Sequence, residues 1–222
     1  MAKEEKKSKG SSTHRFNTIC VFGGSNLGKD DGFVKVASEL GKVLGAQKIN
    51  LVYGGGIHGL RGVVASSAFI CGSKVLGVLH MESPFKHVSA NLGTQLRVSN
   101  LHERYGVMLN AEAFIALPGG VETLEGISSI IYWAKLNFHR KPLGLLNVNG
   151  FYDGLLSFLD HAVKQDFISQ ATRQTIVSAS SVDQLMKQMQ KCALEADIIM
   201  KSTGWQLPES SKKDTLDTTL RL

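Results

Sequence analysis

Three short runs of this chain carry the residue types that hold an anion. They are Gly23-Gly24-Ser25, Gly54-Gly55-Gly56 and Gly119-Gly120. Glycine lets backbone N–H groups come close to a ligand, and a helix starting just beyond turns its positive end toward the same point. Two of the runs are followed closely by a hydroxyl, Ser25 and Thr123. Together they suit a phosphate better than a set of plain turns. Two charged groups nearby are ordinary when taken alone. Arg104 reads as a solvated charge on a helix, and Glu125 as a first-turn glutamate favoured by the helix dipole.

Gly54-x-Gly56-x-x-Gly59 matches a dinucleotide fingerprint, but weakly. It follows the second strand rather than the first. The acidic residue expected about twenty positions on falls at Lys74 or Val75, with Glu82 the nearest carboxylate beyond. A nicotinamide dinucleotide is therefore a minor reading.

The elements that position these glycines follow from hydrophobic pattern. Apolar runs ending in glycine predict strands at 18–24, 50–56 and 113–120. Further strands are predicted at 74–80, 142–148 and 175–180. Helical spacing covers 31–46, 60–71, 99–110, 122–136, 151–164, 169–173 and 182–197. Residues 81–98 have no clean period, contain Pro84, and read as a long functional loop. Strands alternate with helices and are apolar throughout, the mark of strands buried on both faces. The expected fold is a single-domain α/β one: an open, mainly parallel sheet with helices on both faces. Its ligands bind where the carboxyl ends of the strands share an edge.

The chain has 222 residues, 43% hydrophobic and 20% charged. That bounds it to one globular domain over 16–197, with tails at 1–15 and 198–222. The net charge of +6 is unevenly spread. Lys3, Lys6, Lys7, Lys9 and Arg15 face Glu4 and Glu5, so the first fifteen residues hold +3 of it. They read as a disordered basic tail, neither a secretory signal nor a transit peptide. The rest is only mildly basic and has no nucleic-acid motif. No apolar run is long enough for a membrane span. Cys20, Cys71 and Cys192 are odd in number and lack C-x-x-C spacing. We expect no metal site and a reducing compartment, cytoplasm or nucleus.

At Pro118-Gly119-Gly120-Val121-Glu122-Thr123-Leu124-Glu125-Gly126 the pattern becomes specific. With CVFGGS at 20–25, LVYGGG at 51–56, His102-x-Arg104, AFIALPGG at 113–120, WAKL at 133–136, KPLGLLNVNGFY at 141–152 and DFIS at 166–169, the chain resembles the LONELY GUY family. Those proteins are cytokinin riboside 5′-monophosphate phosphoribohydrolases. The similarity spans residues 18 to 190. Older labels call related proteins lysine decarboxylases, but this sequence shows no pyridoxal-phosphate logic.

The resemblance implies a Rossmann-like homodimer with its site near the subunit interface and no cofactor. The substrate class is a cytokinin nucleotide or AMP-like molecule. The reaction is hydrolysis of the N-glycosidic bond to free base and ribose 5-phosphate, through a cation-like sugar transition state. A carboxylate stabilises that charge or activates water, and an arginine holds the nucleotide. Carried onto this chain, substrate contact falls to Gly24, Ser25, Gly55, Gly56, Arg104 and Tyr105. Around the second motif it falls to Gly119, Gly120, Val121, Glu122, Thr123, Leu124, Glu125 and Ile131.

Two positions depart from the family pattern P-G-G-x-G-T-x-x-E. Glu122 replaces its glycine, and Gly126 replaces its catalytic glutamate. Glu125 is the nearest carboxylate left to act with Arg104, but helix neighbours differ by about 100°, so it should point elsewhere. A carboxylate at 122 aimed at a phosphate about 5 Å away would repel it by roughly 3 kcal/mol per unit charge at an effective dielectric near 20. Tyr105 replaces a family lysine. The loop at 81–88 offers Lys86 or His87 where the family has a ligand-contacting glutamate, with Glu82 nearby. Two functions are therefore expected in competition. One is a phosphoribohydrolase of reduced or altered activity; the other is a nucleotide-binding pseudoenzyme that pairs with itself or an active relative. Elsewhere the bland readings stand. His102 is a structural hydrogen-bonder, and His58 is exposed in a loop. Cys20, Cys71, Tyr132, Trp133, Leu185, Met186 and Met189 pack in the core.

Overall fold

The computed structural model describes residues 16–81 and 92–203. Seven parallel strands form its sheet: β1 (Thr18–Phe22), β2 (Asn50–Tyr53), β3 (Val75–His80), β4 (Thr94–Val98), β5 (Ala113–Ala116), β6 (Leu143–Leu146) and β7 (Ile176–Ala179). Their order is β4-β3-β2-β1-β5-β6-β7. The order in which strands are added reverses between β1 and β5, and the crevice outside their carboxyl ends is where such a sheet binds ligands. All the strand pairs are parallel, a stronger result than the mainly parallel sheet expected.

Helices cover both faces. On one side lie α1 (Asp31–Ala46), α2 (Gly59–Ile70) and α7 (Val182–Thr203), around a core that includes Leu40, Leu44, Val64, Leu185, Met186 and Met189. On the other lie α3 (Leu101–Met108), α4 (Val121–Lys135), α5 (Asp153–Lys164) and α6 (Gln170–Gln174), around Phe22, Phe114, Ile127, Ile130 and Leu159. Asp30 caps α1, its side chain accepting from the Gly32 N–H at 2.7 Å. Gly41 and Gly45 let α1 lie tight on α2: a Cβ on Gly41 would be 2.5 Å from that of Ser67, and one on Gly45 would collide with Cys71. Among the described residues no helix is long and apolar enough to cross a membrane.

Several expectations need correction. Thr94–Val98 is a strand, not loop. It lies at the sheet edge and is only partly covered, so its polar sequence TQLRV lacks the continuous apolar run that marks its neighbours. Residues 82–91, with Glu82, Pro84, Lys86 and His87, lie outside the described residues, as do 1–15 and 204–222. Helix α7 runs on through Thr203, past the boundary expected at 197. Cys71 is exposed at the end of α2, and Tyr132 is 57% exposed, so neither is core.

His139 fastens the far end of α4. It is 5% exposed, its Nε2 faces the Ile130 carbonyl at 3.1 Å, and its Nδ1 accepts the Lys141 N–H at 3.2 Å. That pairing requires the neutral ring. Burial, and then the Lys141 charge, push its pKa down to about 4. The unfolded ring takes up a proton near pH 6.5, whereas the folded one resists until about 4. Stability should therefore fall as pH drops from 6.5 to 4, with His139 contributing up to about 3 kcal/mol of the loss. In His139→Gln, urea midpoints across that window should fall less steeply than in the parent chain.

Candidate active site

The loops after β1 and β5 meet at the point where strand order reverses. The Gly24 N–H donates to the Pro118 carbonyl at 3.1 Å. The contact demands glycine, because a Cβ on Gly24 would sit 3.2 Å from the Gly119 Cα and one on Gly119 would collide with the Thr123 hydroxyl. Tyr152 steadies the second loop from beneath, its hydroxyl donating to the Leu117 carbonyl at 2.6 Å. Burial raises the Tyr152 pKa, so the phenol remains a donor.

Helix α4 begins at Val121, behind Gly120 in extended backbone and without a side-chain cap. Its positive end thus opens on the crevice. Thr123 is 1% exposed, and its hydroxyl has no hydrogen-bond partner among the described residues. A buried hydroxyl left unpaired at a helix start is a vacancy for an acceptor. Glu122 turns back over this end. Its Oε1 accepts the Ser25 N–H at 2.8 Å and its Oε2 lies 3.8 Å from Arg61 Nη1.

Arg104 approaches from the neighbouring strands. Asn100 caps α3 by accepting the Glu103 N–H at 2.8 Å. One turn on, the Arg104 guanidinium lies against Gly54, where a Cβ would be 2.6 Å from its Nη2. The next residue, Tyr105, is 6% exposed and donates its hydroxyl to the Glu125 carboxylate. Ser129 Oγ donates to the other carboxylate oxygen at 3.3 Å. Burial first, then the bond to Glu125 and its charge, raise the Tyr105 pKa, so the phenol keeps its proton. Cys20 is not a nucleophile here, since burial pushes its thiol up to about 12.

Two adjoining hollows result. A small one of about 90 Å³ is lined by Phe22, Gly54, Arg61, Arg104, Thr123 and Glu125, among others. A larger cleft of about 400 Å³ has a polar wall of Gly24, Ser25, Gly119 and Gly120 and an apolar wall of Leu27, Phe33, Leu60 and Phe151. Glu122 borders both. One side offers a cation, a carboxylate and a hydroxyl, and the other offers apolar surface for a ring.

Gly24, Ser25, Gly119, Gly120, Val121 and Glu122 thus border the cleft, and Arg104, Glu122, Thr123 and Glu125 the small hollow. Glu125 faces this hollow rather than away from it, contrary to the 100° argument. Gly126 instead turns to the sheet, where a Cβ would be 2.6 Å from the Phe22 ring. Five expected contacts line neither hollow: Gly55, Gly56, Tyr105, Leu124 and Ile131, with Tyr105 joined to the site only through its bond to Glu125. Gly55 and Gly56 form the turn after β2, with φ of 73° and 86°. Leu124 is exposed, and Ile131 packs on the core. Arg61, Phe33, Phe151 and Tyr152 were not expected. Arg61 follows the Gly54-Gly55-Gly56 run by only five residues, and Phe151 and Tyr152 close the KPLGLLNVNGFY run, which were usable signals; Phe33 gave none. His102 and His58 are exposed. Among the described residues no group of three or more His, Cys, Asp or Glu could hold a metal.

Comparison with known proteins gives the site a context. A family model described as "possible lysine decarboxylase" matches residues 61–189. The Arabidopsis thaliana cytokinin riboside 5′-monophosphate phosphoribohydrolase LOG7 is 43% identical over 193 residues, 86% of this chain and 89% of that protein. LOG1 from the same plant is 38% identical over 205 residues, covering 91% of this chain and 96% of that one. Among solved structures, the molybdenum cofactor carrier protein of Chlamydomonas reinhardtii superposes with a TM-score of 0.60 at 18% identity, over 81% of this chain and 99% of the other. At that identity the likeness concerns the fold.

The Phe22 contact can be tested by stability alone. Gly126→Ala gains about 1 kcal/mol of helix propensity, but overpacking against Phe22 costs about 1–3 kcal/mol. Gly106 in α3 is the control, because a Cβ there meets nothing within 4 Å. Urea unfolding should show Gly106→Ala more stable than the parent by up to about 1 kcal/mol and Gly126→Ala no more stable, or less. Equal gains at both positions would place Phe22 away from Gly126.

Proposed function

The chain belongs to the family of the cytokinin riboside 5′-monophosphate phosphoribohydrolases, and on that premise we propose that it carries out N-glycosidic hydrolysis of a cytokinin ribosyl substrate at a reduced rate. The observation that carries this reading is the convergence of Arg104, Glu125 and the unpaired Thr123 hydroxyl on one hollow at the switch point. Water oxygen bonds to the anomeric carbon as the bond to the base breaks, and the base nitrogen takes a proton. Glu125 stabilises the developing sugar cation or activates the water. Tyr105 and Ser129 fix its carboxylate without discharging it, since both only donate hydrogen bonds. Arg104 holds the polar end of the substrate. The larger cleft takes the base against Phe33 and Phe151.

The second reading, a pseudoenzyme, is favoured by one observation. Gly126 is packed against Phe22, so the family carboxylate has neither a side chain nor ready space there. Both readings use a homodimer, or a heterodimer with an active relative, in the cytoplasm or nucleus. The exposed apolar residues Leu124, Tyr132, Leu136 and Phe138 on and just after α4 support an interface beside the site.

Hydrolysis of isopentenyladenosine 5′-monophosphate, with free base detected by chromatography, separates the readings. The expected result is slow turnover that falls by about 10²-fold or more in Glu125→Gln. Arg104→Ala should lower kcat/KM mainly by raising KM. Absence of product from the folded chain with both this nucleotide and its unphosphorylated riboside would support the pseudoenzyme. Unchanged turnover in Glu125→Gln would remove that residue from the chemistry.

A further inference from the structure

The mouth of the anion site is already occupied by an anion of the protein's own. Glu122 is the second residue of α4, and the helix there presents positive potential. Its carboxylate takes the Ser25 N–H at 2.8 Å and faces Arg61 at 3.8 Å. Beside it lies the buried Thr123 hydroxyl, 1% exposed and unpaired among the described residues. These are the groups that would recognise a phosphate: a loop N–H, a cation, a hydroxyl and a helix start.

We propose that the Glu122 carboxylate stands in for the 5′-phosphate, so that this site takes the unphosphorylated riboside in preference to its 5′-monophosphate. This rests on the reading of the site as one for cytokinin ribosyl substrates. A phosphate arriving at Ser25 must either evict Glu122 from both of its partners or sit against a like charge. A 5′-hydroxyl meets no such conflict. It is neutral, and it donates a hydrogen bond to the carboxylate, which accepts from Ser25 through one oxygen and has lone pairs to spare. Glu122 is then a specificity-determining residue that reverses which substrate the cradle prefers. Its side chain is 46% exposed in the first turn of a helix, so replacing it does not open the core.

Calorimetric titration of the purified full chain tests this with three probes: isopentenyladenosine, its 5′-monophosphate and ribose 5-phosphate. The chains are the parent, Glu122→Gly and Glu122→Gln. The parent should bind the riboside at least tenfold more tightly than the monophosphate and should not bind ribose 5-phosphate. In Glu122→Gly the monophosphate should gain at least tenfold, and the order should reverse. Glu122→Gln, which keeps an acceptor but loses the charge, should hold the riboside and gain part of the monophosphate affinity. A parent that prefers the monophosphate, or a ratio unmoved in both variants, would overturn the proposal and leave the site reading intact. If ribose 5-phosphate binds Glu122→Gly but no chain binds either base-bearing probe, the phosphate seat stands and the site reading falls. Silence toward all three probes in every chain, with melting curves showing them folded, overturns both.

Discussion

A single backbone hydrogen bond, from the Gly24 N–H to the Pro118 carbonyl, closes the site at its narrowest point. It links the loops after β1 and β5, the two strands whose helices leave toward opposite faces of the sheet. Connections that part this way normally open a crevice. Here the crevice is pinched until backbone nearly touches backbone, with Gly24 and Gly119 about as close as two chains can come. The pinch sets the Ser25 N–H and the start of α4 side by side. Three features follow from that approach: the Glu122 bond to Ser25, the buried Thr123 hydroxyl, and the division into a small polar hollow and a larger apolar one.

The rest of the structure holds this approach in place from a distance. Tyr152 reaches up through the core to the Leu117 carbonyl, and its own N–H is taken by Asn147 at 2.7 Å. His139 secures the last turn of α4 from below. Gly54 lets Arg104 come in over β2, a strand away from α4. Such groups are worth about 1 kcal/mol each when made and more when broken. They act together on the angle at which α4 enters, and so on where Glu122 and Glu125 point.

Much of this was legible in the sequence. The strand-end glycines were legible as one edge of the sheet, and the structure brings the loops after β1 and β5 together there. Helix α1 was bounded to the residue, since Asp30 caps it and its apolar spacing is regular. Edge strand β4 was not legible, because a half-exposed strand has no apolar run to announce it. Nor was the pairing of Tyr105 with Glu125. They are 20 residues apart on helices separated in the chain by β5, and only the packing of α3 beside α4 joins them. The orientation of Glu125 failed for a related reason. The step of 100° between neighbours is sound, but it does not say which neighbour faces the sheet. Phe22 settles that by occupying the space over Gly126.

The two changes in the second motif also act on one another. Positions 122 and 126 are four residues apart, so they share a helix face and differ by about 6 Å along its axis. Compared with the family pattern, the chain has lost a carboxylate at the later position and gained one at the earlier. The number of negative charges on that face is unchanged, but the charge has moved a turn toward the helix start. There it gains the Ser25 N–H, Arg61 and the positive end of α4, a favourable setting worth about 0.3–1 kcal/mol from the dipole alone. The vacated position is closed by an aromatic ring. A carboxylate that stabilised a passing sugar cation would have to sit beside the bond being broken. One that rests on Ser25 is committed to the ground state of the protein. On the proposed reading, the substitutions shift negative charge from a place where it would serve a transition state to a place where it completes a resting one, leaving Glu125, held by Tyr105, as the carboxylate that shares the small hollow with Arg104.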